Sequence, residues 1–263
     1  MFKTVIISFS FKTGGAAIAA HKMTKLLAKG TTSFITESIT QDNAGKFQFL
    51  KRLISFILSK LQFDGNPIKH SLNLFSYKPV LKSFKNKKDT IHHLHWINND
   101  TLSIFDFDKI PTGSVISLHD EWLYCGSEHA YNAIDDSNQF INGYSYFNKG
   151  VLGINWNSLI WKVKYKKLAH RDDLIYTVPS NWMLERAKLS AILKRSDIRL
   201  LPNTIDSEVF KPASESTVSS FRFGLNIELD SFVIVYASTD DKKNNLKGID
   251  LLNNTLQLLQ SKL

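Results

Sequence analysis

Residues 3–9 (KTVIISF) form an apolar, β-rich run, followed within a few positions by the glycine pair Gly14-Gly15. An alanine-rich segment, residues 16–29, then carries apolar side chains at helical spacing and closes at Gly30, and residues 32–37 read as a second strand. Strand, glycine turn, helix and strand in that order make a βαβ unit, whose crossover is expected to be right-handed. Few architectures accept such an opening. The theme recurs: residues 90–95, 114–118, 174–178 and 198–201 read as strands, and residues 159–168 and 180–193 as helices. The alternation predicts an α/β fold with an open, mostly parallel sheet. Sheets of this kind bind ligands at the carboxyl ends of their strands.

The chain has 263 residues, 43 % of them hydrophobic and 22 % charged, enough for a large domain with a buried core. Its single cysteine, Cys125, excludes an intramolecular disulfide and a cysteine-based zinc cluster, which suits a reducing compartment. The net charge of +9 directs attention to polyanions, namely nucleic acid, anionic lipid or phosphate-bearing ligands. No nucleic-acid signature accompanies the charge, so no nucleic-acid partner is expected. No apolar run approaches the roughly 18 residues of a spanning helix. The first ten residues lack a small-residue cleavage site and read as the first strand. Ser261-Lys262-Leu263 is formally a peroxisomal address but continues an amphipathic helix.

Beyond Asn203 the texture changes. Pro202, Pro212 and the polar run 213–220 resemble a linker; residues 231–237 (SFVIVYA) then read as a new strand, followed by a polar loop and a helix from Gly248 onward. The expected organisation is a Rossmann-like domain over residues 1–205, a linker over 206–229, and over 230–263 the start of a second domain. A lone strand and helix cannot cover their own apolar faces, so that second domain is expected to be incomplete.

Four segments carry chemistry. Gly14 and Gly15 at a strand-to-helix turn let a ligand approach the backbone and the helix N-terminus, or else serve only a tight turn. Neither the dinucleotide fingerprint nor the P-loop pattern is present. In residues 116–122 (ISLHDEW) a strand delivers His119 and Asp120 to its carboxyl end, where an imidazole can hydrogen-bond a sugar hydroxyl or a developing charge; the plainer role is to fix the loop. Residues 178–182 (VPSNW) place Ser180 as a helix N-cap, next to residues 201–212 (LPNTIDSEVFKP). In residues 238–248 (STDDKKNNLKG), Lys242, Lys243 and Lys247 precede a helix, as a phosphate clamp or as a solvated basic loop.

The order GGA, HDEW, PSNW, LPNTIDSEVFKP and a lysine loop ending in KG resembles family 4 glycosyltransferases of GT-B fold. The likeness is to the bacterial branch that builds O-antigen, capsule or exopolysaccharide, and is strongest over residues 114–212. The resemblance implies a retaining, metal-independent hexosyltransferase without cofactor. It would use a nucleotide sugar as donor and a lipid-linked or growing polysaccharide as acceptor, in the cytoplasm at the inner face of the bacterial membrane. It places His119 against the donor sugar, Gly14, Gly15, Asp120 and His95 in the donor/acceptor cleft, and Lys242 and Lys247 on the diphosphate. The family's paired glutamates that hold the donor would fall beyond Leu263, so the chain is expected to be truncated. A non-catalytic sugar- or phosphate-binding remnant is the alternative.

Other signals carry less weight. Asp106-Phe107-Asp108 matches the metal-binding D-x-D, yet sits in a connecting segment. His92, His93 and His95 lack ligand partners at metal spacing; strand alternation puts His93 and His95 on one face and His92 on the other, and a place for His95 and Trp96 at the cleft rim is a separate reading of lesser weight. Residues 45–63 are basic and amphipathic, which suits an interfacial helix on an anionic membrane surface or a helix packed on the sheet.

Overall fold

In the computed structural model, residues 2–30, 34–66, 68–85, 89–131, 138–147, 152–237 and 247–260 are described. The chain divides into two units, Met1–Thr204 and Ile205–Leu263.

The first unit is built on a parallel sheet flanked by helices, Rossmann-like in general kind. Strand β1 (Phe2–Ser8) leads through the glycine turn into α1 (Gly15–Gly30) and β2 (Phe34–Ile39). There follow α2 (Lys46–Ser59), a two-residue β3 (Gln62–Phe63), α3 (Lys78–Ser83) and β4 (Thr90–His95). A 3-10 turn over Ile104–Lys109 precedes β5 (Val115–Ser117), α4 (Gln139–Asn142), β6 (Leu152–Gly153) and α5 (Trp156–Leu168). The unit ends with β7 (Ile175–Val178), α6 (Asn181–Leu189) and β8 (Asp197–Leu200). Strand order is β2-β1-β4-β5-β7-β8, and every pair is parallel.

The reason for this arrangement is visible in β1. Val5, Ile6 and Ile7 are all buried, so both faces of the strand are covered. The core continues through Leu94 of β4, Ile116 of β5 and Tyr176 of β7, with Trp122 and Tyr124 packed below the loop after β5. The expected parallel α/β fold is observed, with most bounds shifted by one to three residues. The larger shift is in α6, which stops at Leu189. Ser190 leaves the helical region, and its hydroxyl donates to the Ala187 carbonyl and accepts from Leu193 N–H, so that buried Ile192 and Leu193 follow in a turn. Helix starts follow cap chemistry, with Asn155 accepting from Ser158 N–H and Ser180 from Met183 N–H.

The second unit holds α7 (Glu215–Gly224), capped by Ser214, and α8 (Ile249–Gln260). Helix α7 occupies much of the stretch whose composition resembles a linker. Residues 231–237 belong to no strand, a departure from the sequence expectation. Among the described residues no strand pairs with them, and Phe232 and Val235 are 91 % and 85 % exposed. An apolar run becomes a strand only where a neighbour completes its ladder. Lys242 and Lys243 lie outside the described residues. Among the described residues no helix is long and apolar enough to cross a membrane.

Candidate functional site

β1 lies between β2 and β4, so the chain order reverses beside it, and the crevice of such a sheet opens above the carboxyl ends at that point. β1 ends at Ser8, β4 at His95 and β5 at Ser117, and the segments that follow these three strands build the site. A cavity of about 340 Å³ is lined there by the β1–α1 turn, including Gly14 and Gly15, together with Phe9, Trp96 and His119.

The turn is held by a carboxylate 32 residues beyond Ser10. Asp42 accepts from the Ser10 hydroxyl at 2.5 Å and from Phe11 N–H at 2.9 Å, and Ser10 Oγ accepts from Lys12 N–H. Burial acts to raise the Asp42 pKa, but the hydrogen bonds from Ser10, Phe11 and Thr40 outweigh it and the value is lowered. Gly14 has φ +94°, a conformation that disfavours any side chain. Gly15 opens α1, and a Cβ at either glycine would meet nothing within 4 Å. The chain therefore leaves open space over the first turn of a 16-residue helix, whose leading N–H groups lack intrahelical acceptors.

On the opposite wall three histidines run inward from the cleft. His119 Nε2 lies 3.0 Å from His95 Nδ1, the His95 and His93 rings are 4.1 Å apart, and His93 Nε2 reaches Ser117 Oγ at 2.8 Å. Ser117 in turn meets Thr177 Oγ1 at 2.7 Å. Burial lowers the pKa of all three. Repulsion from His119 adds to burial at His93, which falls to about 4, and repulsion from His93 and His119 adds to it at His95. At His119 burial prevails over the opposing Asp120 carboxylate. The imidazoles are thus neutral at pH 7. His95 Nε2 is buried and has no partner among the described residues. A bare ring nitrogen is less costly there than an unpaired N–H, so we assign the proton of the shared bond to His95 Nδ1. His119 then accepts at Nε2 and carries its own proton on Nδ1.

Asp120 fixes this wall. Its Oδ2 accepts from Trp96 Nε1 at 2.7 Å and from His129 Nδ1 at 2.6 Å, and its Oδ1 from Trp122 N–H. Burial pushes its pKa up, but the His129 interaction and these bonds outweigh it and hold it low. The bond to Trp96 is consequential, because Trp96 sits at φ +41°, a strained position for a bulky side chain. Below the loop, Glu121 accepts from Arg186 Nε, the Tyr124 hydroxyl and Tyr131 N–H. The fully buried Lys164 donates to the carbonyls of Trp122 and Gly126, and burial lowers its pKa to about 7 against the pull of Cys125 and Glu128.

The structure thus brings Gly14, Gly15 and His119 into one cavity, with Trp96 at its rim. Asp120 stands behind Trp96 and orients it. His95 is placed one layer deeper than the rim, lining a small void of about 20 Å³ beneath His119. His92 points away, donating from Nε2 to the Ser83 carbonyl against Phe84. Lys247 is exposed on the second unit, one residue before Gly248. Asp106 and Asp108 are engaged structurally: Asp106 accepts from Ser76 Oγ and Lys109 Nζ, and Asp108 pairs with Lys167. Phe9, Ser10 and Asp42 complete the site unannounced by any motif, since a single aspartate in a polar stretch gives no sign of a partner 32 residues earlier. The chain was compared with protein-family models, curated proteins and solved structures, and none of them matches it.

Proposed function

We propose that the chain belongs to a retaining, metal-independent hexosyltransferase of GT-B type. In this reading residues 1–205 form the acceptor-side Rossmann-like lobe, and residues 230–263 contribute to the lobe that holds the nucleotide sugar. The hexosyl unit passes to a lipid-linked or growing bacterial surface polysaccharide at the cytoplasmic face of the membrane. One observation carries the reading: the open glycine turn and the His119 imidazole line the same cavity at the point where strand order reverses.

The chemistry follows from the groups at hand. The leading N–H groups of α1 offer partial positive charge to phosphate oxygens, and the absence of a Cβ at Gly14 and Gly15 allows close contact. The resemblance assigns Lys242 and Lys247 to the departing nucleotide diphosphate. Neutral His119, donating from Nδ1, holds a hydroxyl of the donor sugar in place, while Trp96 supplies an apolar wall for the sugar ring. Stabilisation of the leaving group by fixed dipoles and cations is the dominant contribution in such a transfer.

The test is turnover of a panel of nucleotide sugars by the protein and by His119→Ala, each with and without a strong chelator. Loss of the imidazole is expected to lower kcat about 100-fold or more, by analogy with removal of one preorganised donor, and the chelator to leave turnover unchanged. Turnover that survives His119→Ala intact would reject the site. Donor binding without turnover would favour the non-catalytic sugar- or phosphate-binding alternative.

A further inference from the structure

Helix α2 is packed with its polarity reversed. Gln48 and Ser55, two turns apart on one face, are its buried residues. Gln48 Nε2 donates to the Asp100 carbonyl at 2.8 Å and Ser55 Oγ to the Asp100 carboxylate at 2.9 Å. With that stripe fixed inward, the apolar side chains face out, Phe49 at 57 % and Phe56 at 58 % exposure, alongside Phe47, Leu50, Leu53 and Ile57. At 100° per residue these span about half the helix circumference. A helix serving only its own core would do the opposite. Past the helix end, Phe63 of β3 pairs with Leu152 of β6 and both are exposed.

Charge identifies what covers this face. Helix α2 contains no acidic residue, and Lys51 and Arg52 occupy the two margins of the apolar arc. Lys60 follows at the helix end, and a cavity of about 370 Å³ opens beside it, lined by Arg52, Lys60 and Lys69 together with the carboxylates of Asp64 and Asp100, the latter already accepting from Ser55 and Phe75 N–H. An apolar arc edged by cations matches the boundary between acyl chains and anionic headgroups. A second copy is disfavoured, because apposed helices would bring the basic margins of both together.

We propose that α2 and the β3–β6 ribbon seat the protein on an anionic lipid bilayer. The phenylalanines enter the headgroup–acyl boundary, and Arg52 and Lys60 meet lipid phosphates at the mouth of the cavity. Neither the geometry nor its test depends on glycosyl transfer. The full chain is sedimented with vesicles of phosphatidylcholine alone and of phosphatidylcholine mixed with phosphatidylglycerol, without nucleotide sugar. Binding to the anionic vesicles is expected to be at least about 10-fold tighter and to weaken with salt. The double variant F49S/F56S is expected to lose about 10-fold or more, and R52Q/K60Q to bind both vesicle types alike. Phe49, Phe56 and Lys60 are exposed and Arg52 is half-buried, and unchanged circular dichroism and urea midpoints confirm that both variants fold. Equal binding to both vesicle types, or none, overturns the proposal. So does a concentration-dependent dimer that F49S/F56S disperses, which would assign the face to a second copy.

Discussion

At the scale of single residues, the histidines of β4 do two jobs that pull in opposite directions. Stacked between the sheet and the cleft, His93 and His95 position His119 without carrying charge, and burial keeps them neutral. That neutrality costs stability in acid. His93 has its folded value depressed to about 4, against an ordinary value of 6.5. As the pH falls through 6.5 the unfolded chain takes up the proton first, so stability present at neutral pH is lost progressively towards pH 4. One pKa unit corresponds to about 1.4 kcal/mol, so His93 alone removes about 3 kcal/mol across that window. Urea unfolding followed from pH 7 to pH 4.5 is expected to show a steep loss, and His93→Gln a shallower one, with its amide able to keep the bond to Ser117. A wild-type midpoint constant over this range would contradict the assignment. The sequence made part of this legible. Alternation in TIHHLH already put His93 and His95 together and His92 apart. The depth of His95 was not legible, because it depends on His119, which arrives from another strand.

Elements were legible where their partners are close in sequence and obscure where the partner is distant. The βαβ opening and the later strands could be read because each is buried on both faces and carries its own apolar signature. For α2 the sequence showed an amphipathic period but not which side faces in. The deciding group is Asp100, some 45 residues further on, whose Oδ1 accepts from Ser55 Oγ and from Phe75 N–H. Asp100 is itself buried at φ +56°, a conformation that aspartate and asparagine tolerate better than alanine. Burial raises its pKa more than these bonds lower it, so a neutral isostere suits the site. Asp100→Asn retains the accepting oxygen and is expected to cost less than about 1 kcal/mol. Asp100→Ala strands a buried N–H and hydroxyl and adds backbone strain, for a loss of about 2–4 kcal/mol in urea unfolding. Equal losses in the two variants would show that the carboxyl group does not anchor the helix.

Across the whole molecule, buried structure is divided unequally between the two units. Every buried side chain among the described residues belongs to Met1–Thr204, whereas α7 and α8 bury none. The apolar run 231–237 shows why composition alone misleads at this scale. SFVIVYA has the β-branched and aromatic content of an inner strand, but content supplies neither a ladder nor a cover, and its side chains stay exposed. Hydrophobic burial is the main favourable contribution to folding, at about 25 cal/mol per Å² of apolar surface, so cooperative stability is expected to reside almost wholly in the first unit. A fragment of residues 1–204 should therefore melt within about 2 °C of the full chain, since a difference of 1 kcal/mol moves Tm by only about 2–4 °C in a domain of this size. Amide exchange on the full chain should find slow protons in β1, β4, β5 and β7 and none in α7 or α8. A drop of 10 °C on removing residues 205–263, or slow exchange along α8, would mean that the second unit shares in the cooperative core.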